Sequence, residues 1–147
     1  LALVLPVLLV IVVKCSLLSP ALVLPVLLVI VVQATPSVSS CEAEYIALFE
    51  AGRDAVWMRS LLCELDMCPG TVPTEILHDN QGSIAWAQGG LRKVKHVELK
   101  YHHTQHLIES GQIRIAYVES AMNAADVMTK ALSGQSFHRA LEMLSIA

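Results

Sequence analysis

Apolar and polar positions follow three different patterns along the chain. Ala2–Val13 reads ALVLPVLLVIVV, an apolar run broken by one proline, and Ala21–Val32 repeats the same twelve residues nineteen positions later. The β-branched runs Val7–Val13 and Val26–Val32 favour pleated backbone. From Ser39 the period lengthens. Tyr45, Leu48, Gly52, Ala55, Arg59 and Leu62 trace one helical stripe, which Ile46, Phe49, Val56 and Leu65 widen. Ser39-x-x-Glu42 has capping-box spacing at its start. The stripe predicts a helix to about Asp66, with a break near Gly52 and a stop at Pro69-Gly70. Glu75–Asp79 then reads as a short strand, and a short helix through Trp86 and Gln88 ends at Gly89-Gly90. A helix from about Val97 to Glu109 is closed by Gly111. Gln112–Val118 alternates Ile113, Ile115 and Tyr117 with Arg114 and Ala116, a strand pattern. Asn123 can cap a helix holding Asp126, Met128 and Leu132. Gln135–Ile146 predicts a last helix, with Phe137, Leu141 and Leu144 on one face. Strands alternating with helices read as α/β.

Composition divides the chain where the pattern does. Apolar residues make up 54% of the 147 and charged residues 16%, too apolar for disorder. The excess is local: 26 of the first 32 residues are apolar, and Lys14 is their one charge. Residues 1–36 are therefore set apart as a hydrophobic duplicated segment, and residues 37–147 as the folded domain. Three readings of the segment stand in this order: sequence out of frame or never selected to fold, a pair of strands, and a membrane anchor. Its prolines and sparse flanking charge disfavour the last. From Gln33 onward 9 Lys and Arg stand against 13 Asp and Glu, which excludes a strongly basic nucleic-acid binder but not an enzyme with a local basic patch. Arg92, Lys93, Lys95 and Lys100 form that patch. Cys15, Cys41, Cys63 and Cys68 show no C-x-x-C pair, and the expectation is reduced thiols in an intracellular protein.

Three acids stand out by position. Glu44 lies in the first turns of the long helix, near its packing face. Asp79 ends an apolar strand, where open α/β sheets place their sites. Asp126 follows the second strand, one turn into the next helix. Each has an ordinary explanation alone: surface residue, helix cap and first-turn acid. Together they suggest hard-cation chemistry, because clustered carboxylates are costly without a cation.

SSCEAEYIAL, ILHDNQGSIAWA, KHVELKYHHTQHLI and IRIAYVESAMNAADVMTKAL, in that order and spacing, resemble the ribonuclease H domain of copia-type retrotransposon polyproteins. The resemblance runs from about Ser37 onward, roughly three quarters of the chain. It implies a ribonuclease H-like α/β fold, a parent polyprotein carrying a reverse transcriptase, and an RNA–DNA hybrid as partner. It also implies an acidic quartet, Asp-Glu-Asp-Asp, holding two Mg²⁺ ions that hydrolyse the RNA strand. By motif, Glu44 matches the glutamate, Asp79 the second aspartate and Asp126 the last; all three become candidate catalytic residues and metal ligands. Arg92, Lys93, Lys95 and Lys100 become candidate contacts to phosphate.

The first aspartate has no counterpart. In the family it lies on a strand upstream of the glutamate helix, and that place is held here by the repeat, which contains no acid. The expectation is an incomplete ribonuclease H-like fold, its first three strands missing or replaced by the hydrophobic repeat, and a chain that does not cleave. The alternative function is a small non-catalytic protein that associates with a membrane or binds nucleic acid. Three structural expectations follow. Glu44, Asp79 and Asp126 converge. The strands around Ile76 and Ile115 are neighbours, with the valine-rich runs imitating the rest of the sheet if anything does. An unpaired edge lies at Ile76–Leu77, prone to aggregate. His102 and His106 have a zinc-compatible i, i+4 spacing, but no third ligand at motif spacing. Trp57 and Trp86 are expected to pack.

Overall fold

The computed structural model describes residues 8–14, 27–32, 40–67, 71–90, 98–128 and 131–143. Its elements are strand β1 (Leu8–Lys14), β2 (Leu27–Val32), helix α1 (Ser40–Glu64), β3 (Thr74–His78), α2 (Gln81–Ala85), α3 (Glu98–Glu109), β4 (Ile113–Tyr117) and α4 (Gly134–Met143). A π-type turn, Trp86–Gly90, extends α2, and two 3₁₀ turns, Ser120–Met122 and Ala124–Met128, follow β4. No helix of the described residues is long and apolar enough to cross a membrane.

The four strands form one sheet in the order β2-β1-β3-β4. β3 and β4 run parallel, joined through the α2–α3 crossover as a parallel pair requires. The two copies of LLVIVV pair with each other antiparallel from end to end, Leu8 opposite Val32 and Val13 opposite Leu27. β1 then pairs antiparallel with β3, Val13 opposite Ile76 and Val12 opposite Leu77. The strands around Ile76 and Ile115 are thus neighbours. The edge expected to be open at Ile76–Leu77 is covered by β1, because the repeat's β-branched residues supply a pairing strand.

Alternation along β3 determines what each of its side chains meets. Thr74, Ile76 and His78 are buried, while Glu75 and Leu77 are half-buried on the opposite face. The first set packs under α1. Tyr45, Ala47, Leu48, Ala51 and Ala55 of α1 form one core with Ile76, Ala87, Leu107 and Ile113. Gly52 lies in this contact, where an added Cβ would stand 3.4 Å from Leu107 Cδ1 and 3.6 Å from Ile113 Cδ1. The helix runs through Gly52 without a break, because the small residue admits α3 and β4 rather than weakening the turn. On the other face Ala124 and Ala125 make a smaller cluster with Leu77, Val127 and Met143.

Both long helices end in the same way. In α1 the Met67 N–H donates to the Leu62 carbonyl (2.9 Å) and Asp66 N–H to Cys63 (3.1 Å), with Asp66 at φ 54°. In α3 the Gln112 N–H donates to Leu107 (3.0 Å) and Gly111 N–H to Ile108 (3.0 Å), with Gly111 at φ 69°. These are Schellman ends, which need a left-handed residue just past the helix. Asp66, rather than the expected Pro69-Gly70, therefore stops α1.

Three further expectations change. The segment after Asn123 is a 3₁₀ turn that ends at Met128, short of Leu132; Asn123 Oδ1 accepts from Ala125 N–H at 3.2 Å, a tight local closure. Trp57 on α1 and Leu65 just past its end are 64% and 58% exposed, because Trp57 lies on the helix face that points away from the sheet and Leu65 follows the last turn. Phe137 is 42% exposed, and Ala140 is the residue that α4 buries.

Candidate functional site

The site is assembled by three elements that meet at the carboxyl end of β3. Glu44 lies one turn into α1 between Ala43 and Tyr45, both buried. Tyr45 anchors that turn: it is fully buried, its hydroxyl donates to the Tyr101 carbonyl at 3.5 Å, and its ring meets Trp86 at 6.0 Å between centroids. Burial pushes its pKa up to about 12. His78 is the last residue of β3 on the α1 side, so the strand's alternation directs its ring under Glu44. Asp79 follows immediately.

The next turn is fixed by its own side chains. Asn80 caps α2, its Oδ1 accepting from Ser83 N–H at 3.0 Å, and Ser83 Oγ donates to the Asn80 carbonyl at 2.9 Å. The Ser83 hydroxyl thereby presents a lone pair to His78 Nε2, with which it makes a short hydrogen bond. Asp79 is held from the far side: Ser120 Oγ, in the turn after β4, donates to Asp79 Oδ2 at 3.1 Å.

Glu44, His78 and Asp79 each offer a ligand atom, and these atoms all lie within 4.8 Å of one another. His78 Nε2 stands 3.8 Å from Glu44 Oε2. The imidazole is buried, which lowers its pKa to about 4 even though the Asp79 charge opposes the shift. The contact with Glu44 is accordingly one between a carboxylate and a neutral ring. Cys41, one turn before Glu44, is a free thiol whose pKa is raised by burial and then by the Glu44 charge, so it is a poor nucleophile.

Of the sequence-predicted acids, Glu44 and Asp79 come together. Asp126 is not a member of that group; it lies in the 3₁₀ turn whose Ala124, Ala125 and Val127 pack against Leu77 of β3. Arg92, Lys93 and Lys95 lie outside the described residues. Lys100 places its ammonium 5.3 Å from the Phe49 ring centroid and 3.9 Å from Glu50 Oε1. His102 and His106 are exposed on α3 and belong to no metal-ligating group among the described residues. The residue that sequence reasoning missed is His78. Its one signal was position: it ends an alternating strand on the buried face, beside an acid.

The donor set decides what the site can hold. A pair of Mg²⁺ ions requires several carboxylate oxygens. Two carboxylates and an imidazole within 4.8 Å of one another fit one divalent cation.

No protein-family model matches the chain. Among curated proteins it is similar to the retrovirus-related Pol polyprotein from transposon RE1 of Arabidopsis thaliana, 33% identical over 101 residues, covering 67% of this chain and 7% of that protein. The corresponding polyprotein from transposon RE2 of the same plant is 31% identical over 113 residues, 74% of this chain and 8% of that protein. That from transposon TNT 1-94 of Nicotiana tabacum is 24% identical over 116 residues, 78% of this chain and 9% of that protein. No solved structure matches. The chain spans less than a tenth of the length of these curated relatives. It is a relative of retrovirus-related transposon Pol polyproteins and derives from a retrotransposon polyprotein of that kind.

Proposed function

We propose that the chain is a remnant of the ribonuclease H domain of a copia-type retrotransposon polyprotein, one that retains part of a metal-binding acidic site and does not cleave RNA–DNA hybrids. The observation that carries this reading is the meeting of Glu44, from the first turns of α1, with Asp79, from the end of β3, in a chain similar to transposon Pol polyproteins. The motifs around both residues are those that resemble the family's glutamate and second aspartate. Loss of activity follows from the donor set. The ribonuclease H reaction needs a quartet bridging two cations, and residues 1–41 contain no Asp or Glu to supply the first member. Electrostatic preorganisation is usually the largest catalytic contribution, and removing one preorganised group costs about 10²- to 10³-fold.

The test is release of labelled RNA from a hybrid duplex in Mg²⁺ or Mn²⁺, with Asp79→Asn as the comparison. The expected result is no cleavage above that of the Asp79→Asn chain. Cleavage by the unaltered chain that Asp79→Asn abolishes would overturn the claim of inactivity.

A further inference from the structure

We propose that Glu44, His78 and Asp79 form a single mixed nitrogen–oxygen site for one divalent first-row transition-metal ion, which this chain binds in preference to Mg²⁺. The proposal rests on the preceding reading for Glu44 and Asp79 as metal ligands; the preference rests on His78.

Geometry comes first. Ligand atoms about 2.0–2.2 Å from one ion stand about 3–4.4 Å from one another, depending on the angle between them. The three ligand atoms here lie within 4.8 Å of one another, and His78 Nε2 and Glu44 Oε2 are 3.8 Å apart. The supporting groups are also in place. Ser120 Oγ holds Asp79 Oδ2 at 3.1 Å. Ser83 Oγ, fixed on the Asn80 carbonyl at 2.9 Å, accepts from His78 Nε2 in the metal-free chain, so coordination moves the ring proton to Nδ1 and Nε2 exchanges Ser83 for the ion. Hydrogen-bonded partners of this kind orient metal ligands and tune their affinity.

Chemistry then selects the ion. Mg²⁺ takes oxygen ligands and parts reluctantly with its waters. An imidazole suits first-row transition ions better than it suits Mg²⁺, and Mn²⁺, first in that affinity series, is the most demanding probe of the preference. His78 is 2% exposed, so its ring already stands in the dry wall of the site and loses little hydration on coordination.

The experiment uses the full chain with Mn²⁺ as probe and Mg²⁺ as competitor. Pulsed electron paramagnetic resonance of the Mn²⁺ complex reports directly whether nitrogen is bound. The expected result is ¹⁴N coupling of an imidazole in the unaltered chain, persisting in Ser83→Ala and lost in His78→Gln. His78→Gln is also expected to weaken Mn²⁺ by about tenfold or more while changing Mg²⁺ by less than about twofold. Absence of ¹⁴N coupling in the unaltered chain, which needs no variant to fold, would overturn the proposal. So would an unchanged Mn²⁺/Mg²⁺ ratio in His78→Gln. If Glu44→Gln and Asp79→Asn leave Mn²⁺ binding unchanged, the reading of these acids as inherited metal ligands falls as well. If those variants abolish binding but no nitrogen is seen, the remnant reading stands and the proposal alone fails.

Discussion

Among the described residues, the two faces of the β3–β4 pair are packed unequally. Under α1, buried Tyr45, Leu48, Ile76, Leu107 and Ile113 interlock, and the same helix and strand carry Glu44 and His78. On the opposite face Ala124 and Ala125 form a smaller buried cluster with half-buried Leu77, Val127 and Met143, beside α4 and its buried Ala140. Asp126 is carried there. Both faces bear an acid that the sequence motifs single out, but a carboxylate is positioned as firmly as the packing that supports it. On the dense face an acid and an imidazole are brought to 3.8 Å. On the sparse face a tight 3₁₀ turn carries its acid outside the cluster.

Core truncation exposes this difference most strongly. Leu48→Ala removes a fully buried side chain from the dense face and is expected to cost about 2–5 kcal/mol. Met143→Ala, on the other face, is expected to cost less than about 1 kcal/mol. Urea denaturation of both variants checks the contrast, and equal losses would erase it.

The dense face also carries a pH dependence. His78 titrates at about 4 in the folded chain, below the unfolded value of about 6.5. The unfolded chain therefore binds the proton first as pH falls. Stability is complete above about pH 6.5, declines between about 6.5 and 4, and levels off below, a loss of about 3 kcal/mol. Denaturation midpoints across that window measure it, and His78→Gln is expected to flatten the curve.

A smaller effect separates the two helix ends. α1 places Asp66 at φ 54° where α3 places Gly111 at φ 69°. An L side chain in the left-handed region costs about 1 kcal/mol, so Asp66→Gly is expected to stabilise the chain by up to about that amount and Gly111→Ala to destabilise it comparably. Thermal melts of the two variants should shift in opposite directions.

What the sequence revealed depended on how local the determining physics was. The stripe through Tyr45, Leu48 and Ala55, the alternation around Ile115 and the terminating role of Gly111 were legible because period and backbone preference are written in neighbouring residues. Glu44 and Asp79 were legible as motif positions. That the valine-rich repeat could imitate missing strands was legible in its β-branched residues; its register, copy against copy and then β1 against β3, was not. Nor was the left-handed Asp66, or the exposure of Trp57, which depends on which side of α1 the sheet occupies. His78 was hidden for the same reason: only the alternation of β3, seen with α1 in place, turns a histidine beside an aspartate into a neighbour of Glu44.

The proposed metal site makes the sharpest claim: Asp79 is expected to take part in it and Asp126 is not. Calorimetric titration of Mn²⁺ into the full chain and its Asp79→Asn and Asp126→Asn variants tests this directly. The expected result is a loss of about tenfold or more for Asp79→Asn and a change of less than about twofold for Asp126→Asn. Equal losses in the two variants would mean that both faces contribute to one site, and would contradict the account.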